Sequence, residues 1–144
     1  MMGEIPNTDS QITDLIKAAF AAQKMAYAPY SHFYVGAALL TKSGRVYSGC
    51  NIENAAYSPS NCAERTAIFK AVSEGEREFA AIAIVGNQAD AKQGQLCAPC
   101  GVCRQVMAEF CDSNDFKIIL AWGDEQFKEF TLGELLPHGF CLTC

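Results

Sequence analysis

Apolar residues near the start of the chain recur with helical spacing, at Ile12, Leu15, Ile16, Ala19 and Phe20. Positions separated by three and four residues lie on one side of an α-helix, so the pattern predicts an amphipathic helix. Residues 8–10 are Thr-Asp-Ser, which are good N-cap residues, and they mark the start of this helix. We predict that it ends near Tyr27, because Pro29 follows.

The next part of the chain predicts a β-hairpin. Residues 33–41 are apolar and compatible with a strand, and residues 45–52 resume a strand-like pattern. Ser43 and Gly44 lie between them and form a turn signal. The two strands are therefore expected to pair with each other.

The middle of the chain predicts a helix followed by a buried strand. Residues 62–74 carry apolar side chains along one helix side, and Gly75 stands where a C-terminal cap belongs. Residues 79–85 are all apolar, which is typical of a strand that is buried on both faces. Residues 86–95 are largely polar and are predicted to form a loop.

The last third of the chain predicts a helix, two strands and a short final helix. Helical spacing runs through residues 101–110, just after Pro99. Residues 117–122 and 126–131 are strand candidates, and the segment between them is too short for a crossover helix, so the pair should be antiparallel. Residues 132–136 are predicted to form the short final helix. Strands alternating with helices predict a layered α/β domain with one mixed sheet covered on both faces.

Length and composition indicate one domain. The chain has 144 residues, half of them hydrophobic, which is enough for one compact core, so we treat residues 1–144 as a single domain. Its longest apolar stretches fall well short of the ~20 residues that cross a bilayer. Residues 1–7 resemble no secretory signal. We therefore expect a cytoplasmic protein that does not bind a membrane.

The charge of the chain argues against a polymeric nucleic-acid partner. Eleven basic and sixteen acidic residues give a formal charge of −5, and the basic residues are scattered singly. Non-specific affinity for DNA and RNA comes mainly from clustered positive charge. The expected partner is a small molecule.

The cysteines supply the strongest chemical signal. Eight cysteines in a chain without an export signal favour metal ligation over a disulfide framework. Cys62 begins one predicted helix, and Cys100 and Cys103 begin another. Three protein ligands leave a fourth zinc position for water, as catalytic sites require. Glu64, two residues after the first thiol, is placed to reach that water without binding the metal.

Three thiolates leave a zinc site with net negative charge, which has to be compensated. The N-termini of two helices each bring a partial positive charge, and the side chain of Arg65 can donate hydrogen bonds to thiolate sulfur. The alternative is a structural site in which Cys97 is a fourth ligand, because Cys97 and Cys100 also have ligand spacing. A second alternative is a non-catalytic zinc module, against which the presence of Glu64 argues.

The chain resembles the small homotetrameric, zinc-dependent cytidine deaminases. Three zinc-binding cysteines, a glutamate and a Pro-Cys-x-x-Cys motif together are typical of zinc-dependent deaminases. The resemblance covers most of the chain and rests on the following stretches: Tyr30-Ser31-His32-Phe33, Val35-Gly36-Ala37-Ala38, Asn51-Ile52-Glu53-Asn54, Cys62-Ala63-Glu64-Arg65-Thr66-Ala67, Pro99-Cys100-Gly101-Val102-Cys103-Arg104-Gln105-Val106 and Leu135-Leu136-Pro137. It implies a three-layer α/β/α fold with a five-stranded mixed sheet.

The resemblance implies a reaction and its catalytic groups. Cys62, Cys100 and Cys103 bind one Zn²⁺ per chain. Zinc-bound hydroxide attacks C4 of cytidine or deoxycytidine, and Glu64 carries protons from the metal water to ring N3 and to the departing ammonia. The products are uridine or deoxyuridine and ammonia, as in pyrimidine salvage.

The resemblance also implies substrate contacts. Asn51 and Glu53 hold the ribose 3′-hydroxyl, the backbone at Ala63 contacts the base, and Phe33 packs on the pyrimidine. Phe140 reaches the active site of a neighbouring subunit, so the active sites of a homotetramer are shared. Without the resemblance, we would interpret Phe33 as an ordinary core aromatic residue and Asn51 as an ordinary turn residue.

Related chemistries remain as alternatives. Deaminases of cytosine-containing antibiotics of the blasticidin type share Cys-Ala-Glu and Pro-Cys-x-x-Cys, but residues 51–54 favour cytidine. Neither histidine lies in the His-x-Glu arrangement of deoxycytidylate deaminases, and we interpret His32 as a packing residue.

Overall fold

The computed structural model describes residues 9–91 and 94–143 of the chain. These residues form five strands and four helices. In chain order these are α1 (Asp9–Gln23), β1 (Phe33–Thr41), β2 (Val46–Cys50), α2 (Ala63–Ser73), β3 (Phe79–Gln88), α3 (Gly101–Phe110), β4 (Lys117–Gly123), β5 (Gln126–Thr131) and α4 (Leu132–Leu135).

The five strands form one mixed sheet in the order β2-β1-β3-β4-β5. β3 and β4 are parallel, and the other three neighbouring pairs are antiparallel. Both predicted antiparallel connections are therefore confirmed: the β1–β2 hairpin, which turns at Gly44 with a φ of 95°, and the final β4–β5 pair.

Helices cover both faces of the sheet, as predicted. Apolar residues of α1 pack on one face, against Ala83 of β3 and Ile119 of β4. α2 and α3 pack on the other face, against Ile82 and Ile84 of β3. Because successive strand residues point to opposite faces, a central strand with helices on both sides needs apolar residues throughout. Every residue from position 79 to 86 is indeed buried.

Two predicted boundaries are wrong. The first helix ends at Gln23 rather than near Tyr27, because the Tyr27 N–H donates to the carbonyl of Asn51 and pairs this segment with residue 52. Residues 86–88 belong to β3 rather than to a loop, because they pair with residues 33–35 of β1. Sheet pairing thus overrides the polar composition of Asn87 and Gln88.

Some predictions fall on residues outside the described ranges. These are the N-cap residue Thr8, the N-terminal segment before it, part of the loop at residues 92–93, and Cys144. Among the described cysteines, six are free thiols, at positions 50, 62, 97, 100, 103 and 111, and Cys141 is disulfide-bonded. No helix in the described ranges is long and apolar enough to cross a membrane.

Gly36 of β1 lets α1 approach the sheet closely, and its replacement by alanine should destabilise the fold. A Cβ at this position would lie 2.0 Å from the carbonyl oxygen of Ala19 and 2.5 Å from the backbone nitrogen of Gln23. Neither backbone atom can rotate away, so we expect Gly36→Ala to lower the free energy of unfolding by about 3 kcal/mol. For a chain of this length the melting temperature should fall by roughly 10 °C.

Gly101→Ala is the matched control, because a Cβ at position 101 meets no atom within 4 Å. Thermal unfolding followed by circular dichroism should show little change for this variant. A melting temperature for Gly36→Ala equal to that of Gly101→Ala would contradict the close approach of α1.

Candidate active site

Two helices point their N-termini into one cavity. Cys62 is the N-cap of α2 and Cys100 is the N-cap of α3, and both have extended backbone conformations. Neither side chain bonds its own helix end, so both thiols are free to face the cavity. Each helix N-terminus contributes a partial positive charge, which favours thiolate over thiol at this place.

The structure brings together the three thiols that the sequence singles out. The sulfur atoms of Cys62, Cys100 and Cys103 all lie within 4.8 Å of one another, and those of Cys62 and Cys100 are 3.8 Å apart. Cys103 is buried in the first turn of α3, whereas Cys100 is exposed and lines the cavity. Soft thiolate ligands suit zinc, and three of them leave a position for water.

Cys97 is not part of this cluster. Among the described residues, only the other three cysteines bring ligand atoms together in a group that could hold a metal ion. Burial, followed by the nearby charge of Glu64, raises the pKa of the Cys97 thiol to about 12. The Cys97 side chain instead lines the cavity beside the three thiols. The geometry therefore favours a three-thiolate site over a four-thiolate structural site.

Arg65 compensates the negative charge of the thiols. Its Nη2 atom donates to Cys62 Sγ at 3.2 Å. The pKa of Cys62 is lowered to about 5, first by the hydrogen bond with Cys103 and then by the hydrogen bond and charge of Arg65. Within the described part of the chain, Nε of Arg65 is buried without a partner. The guanidinium is thus held beside the sulfur cluster.

Glu64 lies in the first turn of α2 with only 4 % of its surface exposed. Burial is the main cause that raises the pKa of its carboxyl to about 7, and the charge of Cys62 adds to the shift. A carboxyl group whose pKa is near neutrality can both take up and release a proton at physiological pH. This is the property that acid–base catalysis requires.

A cavity of about 420 Å³ opens above the thiols, within the range of small-molecule sites. Its wall includes four of the expected substrate and catalytic residues: Asn51, Glu53, Ala63 and Glu64. It also includes residues that no motif singled out for substrate contact, namely Val35, Tyr57, Ser60, Asn61, Cys97 and Ala98. Tyr57 is 81 % exposed, so its ring stands at the mouth of the cavity.

The side-chain amide of Asn51 is oriented by the backbone of β1. Its Nδ2 donates to the carbonyl of Phe33 at 2.8 Å, and its Oδ1 accepts from the N–H of Val35 at 2.9 Å. An amide has two N–H donors and two lone pairs on oxygen, so one of each remains for a ligand. The side chain of Asn51 is thus fixed to the backbone of β1 and still has hydrogen-bonding groups available in the cavity.

The carboxylate of Glu53 is held by the turn before β1. Its Oε1 accepts from the N–H groups of Tyr30 and Ser31 at 3.0 and 3.1 Å. The hydroxyl of Ser31 donates to Oε2. These bonds, led by that hydroxyl, lower the pKa of Glu53, so the group is ionised at neutral pH.

Phe33 and Phe140 do not line the cavity of this chain. The ring of Phe33 lies against Gly86, where a Cβ would be 3.1 Å from Cε1 of the ring and 2.7 Å from Cys97 Sγ. The ring of Phe33 and the side chain of Cys97, which lines the cavity, are thus both close to Gly86. Phe140 is 64 % exposed, and its carbonyl accepts from Nε2 of Gln105 on α3.

The sequence motifs missed the polar residues of the segment between β2 and α2. Ser60 accepts from the N–H of Asn54 at 2.9 Å, and Asn61 pairs with residue 52 through two backbone hydrogen bonds. These bonds fix the segment in which Ser60 and Asn61 line the cavity. A cluster of Asn, Ser and Pro at residues 54–61 signals a structured turn, but not which side chains face a ligand.

Known proteins match this fold and this site. A sequence profile described as the cytidine and deoxycytidylate deaminase zinc-binding region matches residues 9–118. A cytidine deaminase of Halalkalibacterium halodurans is 55 % identical over 126 residues, covering 88 % of this chain and 91 % of the relative.

A solved structure and a more distant relative extend the match. The crystal structure of a cytidine deaminase from Burkholderia pseudomallei superposes with a TM-score of 0.79 at 49 % identity, covering 88 % of this chain and 97 % of the other. A blasticidin-S deaminase of Bacillus cereus is 30 % identical over 135 residues, covering 91 % of this chain and 93 % of the relative. The chain belongs to the cytidine and deoxycytidylate deaminase family.

Proposed function

We propose that this protein is a zinc-dependent enzyme that hydrolyses cytidine and deoxycytidine to uridine and deoxyuridine, releasing ammonia. The observation that carries the proposal is the buried carboxyl of Glu64 beside three converging thiols, at the base of a cavity with Asn51 and Glu53 in its wall. The 55 % identity to a relative named cytidine deaminase supports the same substrate.

Cys62, Cys100 and Cys103 hold the metal in this proposal. A zinc ion bound there supplies a water acidic enough to attack a carbon atom near neutral pH. Glu64 takes a proton from that water and delivers it to N3 of the pyrimidine ring. Glu64 then takes the proton of the hydroxyl group now attached to C4 and passes it to the amino nitrogen. The C4–oxygen double bond forms as the C4–nitrogen bond breaks, and ammonia leaves. The Glu64 pKa of about 7 suits both directions of transfer.

Substrate recognition is assigned to the groups around the cavity. The remaining N–H of Asn51 and the ionised carboxylate of Glu53 hold the 3′-hydroxyl of the sugar. The backbone at Ala63 bonds the base, and Phe33, which lies close to Gly86 as the cavity-lining Cys97 does, is assigned to pack against the pyrimidine. Arg65 acts through Cys62, whose thiolate it stabilises.

A free nucleoside suits this cavity better than a nucleotide or a polynucleotide. Among the described residues that line it, Arg65 is the one basic residue, and its guanidinium donates a hydrogen bond to Cys62. Glu53 would repel a nearby phosphate group. We expect turnover of cytidine and deoxycytidine, and no turnover of deoxycytidylate or single-stranded DNA, in a direct assay of ammonia release. Preferred turnover of deoxycytidylate would contradict this assignment.

Deamination of an antibiotic is the second candidate, because a relative named blasticidin-S deaminase is 30 % identical to the chain. Competition decides between the two. If cytidine is the substrate, blasticidin S at equal concentration should leave its rate almost unchanged. Turnover of blasticidin S without turnover of cytidine would assign the chain to the antibiotic.

We further propose a homotetramer with shared active sites, in which Phe140 enters the site of a neighbouring subunit. The side chain of Phe140 is largely exposed, and so are the apolar side chains of Phe69 on α2 and Val102 on α3. Burial of such groups between subunits is favourable.

A reducing compartment keeps thiolate ligands available, so we place this nucleoside salvage in the cytoplasm.

Phe140→Ala is expected to raise KM for cytidine about tenfold, the loss expected from one aromatic packing contact. The decisive measurement mixes subunits. When chains carrying Phe140→Ala are co-expressed with chains carrying Glu64→Gln, some sites combine an intact Glu64 with Phe140 from the neighbour. These sites should regain the wild-type KM. A mixed preparation whose KM equals that of Phe140→Ala alone would contradict the shared site.

A further inference from the structure

A turn at residues 30–32 closes over the carboxylate of Glu53. The N–H groups of Tyr30 and Ser31 donate to one oxygen of Glu53, and the hydroxyl of Ser31 donates to the other. The N–H of Glu53 itself donates to the carbonyl of Tyr27 at 2.8 Å. Backbone and side chain of Glu53 are thus both tied to the segment that leads into β1.

Ser31 occupies the centre of this arrangement. Its hydroxyl donates to Glu53 and accepts from the N–H of Phe33 at 3.1 Å. A hydroxyl has one proton to donate, and that proton is used on Glu53. One side chain therefore connects the carboxylate assigned to the sugar with the first residue of β1, which is assigned to the base.

The backbone of the turn is held in an uncommon conformation. His32 has a φ of 55°, in the left-handed region that residues other than glycine seldom adopt. Its N–H donates to the carbonyl of Ala28 at 3.0 Å, and its carbonyl accepts from the N–H of Ala89 at 2.9 Å. These two bonds support a turn in which the successive N–H groups of residues 30 and 31 face the same oxygen.

These hydrogen bonds orient the carboxylate of Glu53 before any ligand binds. A carboxylate has about four lone-pair positions, so the three donors occupy most of them and leave a narrow direction for a further donor. A sugar hydroxyl that arrives from this direction meets an acceptor whose rotamer is already fixed. Groups that are fixed beforehand lose less entropy when a ligand binds.

We propose that Ser31 is a positioning residue for sugar recognition, which acts by holding Glu53 in the orientation that accepts the 3′-hydroxyl. The proposal rests on the proposed function, because it takes the role of Glu53 from there. Ser31 touches neither the reacting atoms nor the thiols, so its effect is on substrate affinity and on the discrimination between sugars.

The test compares cytidine with 3′-deoxycytidine, which lacks the hydroxyl in question. For Ser31→Ala we expect KM for cytidine to rise about tenfold with kcat little changed, since one hydrogen bond to a charged group is lost. With 3′-deoxycytidine the same variant should behave almost like the wild type. Ser31→Thr keeps the hydroxyl and should restore KM. Ser43→Ala, which removes a hydroxyl in the β1–β2 turn, is the control.

The outcomes separate this proposal from the proposed function. If Ser31→Ala raises KM equally for both nucleosides, or if Ser31→Thr fails to restore it, the role of Ser31 is overturned and the enzyme assignment stands. A wild-type chain that does not distinguish the two nucleosides overturns the sugar role of Glu53 and that of Ser31 together. Turnover of neither nucleoside by zinc-loaded wild-type protein overturns the proposed function itself.

Discussion

The substitution Glu64→Gln is expected to lower kcat for cytidine by about 10²–10⁴-fold, the range typical of a lost general acid and base. Glutamine has nearly the same size as glutamate and cannot carry a proton between water and base. The side chain of Glu64 is almost fully buried, and its pKa is raised to about 7, so it differs from an ordinary surface carboxylate. Zinc content should stay at one ion per chain, because Glu64 is outside the thiol cluster.

Glu74→Gln is the matched control, because Glu74 caps the other end of the same helix. We expect this variant to keep the wild-type kcat. Steady-state rates and metal content should be measured on the same preparations, so that a loss of rate is separated from a loss of zinc. A Glu64→Gln variant that retains more than a tenth of the wild-type kcat would contradict the proton-transfer role.

The substitution Cys100→Ser is expected to abolish both metal binding and activity. Serine is a good N-cap residue, so α3 should still begin at the same place and the fold should survive. A hydroxyl is a much weaker zinc ligand than a thiolate. After dialysis, zinc should fall from one ion per chain to near zero, and kcat/KM should fall by at least about 10³-fold, because the activated water is lost.

Cys50→Ser tests whether the effect is specific to the cluster. Cys50 is a free thiol at the end of β2 and lies outside the group of converging sulfur atoms. Its variant should keep zinc and activity. Full zinc content in Cys100→Ser would show that another group, such as the thiol of Cys97, completes the site.

The main elements of the fold could be predicted from local patterns. Apolar, strand-compatible composition correctly predicted the strand at residues 33–41, and helical spacing correctly predicted the helix at 101–110. The short connection between the last two strands correctly predicted their antiparallel pairing. The patterns failed where pairing with distant residues decides the conformation. Asn87 and Gln88 are strand residues because β1 pairs with them, and no local signal reports that partner.

In the candidate site, too, local spacing could be predicted from the sequence and long-range contacts could not. Thiols at helix starts and a nearby glutamate are visible in the sequence, because the chemistry depends on short spacing. The hydrogen bonds of Asn51 to β1 and of Ser31 to Glu53 join residues that are 16 to 22 positions apart. Such contacts arise from tertiary structure. They explain how the carboxylate and amide are oriented, which spacing alone could not predict.

The most direct test of the assignment is the conversion of cytidine by purified, zinc-loaded protein, followed by ultraviolet absorbance together with ammonia release. We predict a continuous absorbance change that stops when one ammonia has formed for each cytidine consumed, with the product identified as uridine. Protein that holds one zinc ion per chain and leaves cytidine unchanged would contradict the assignment.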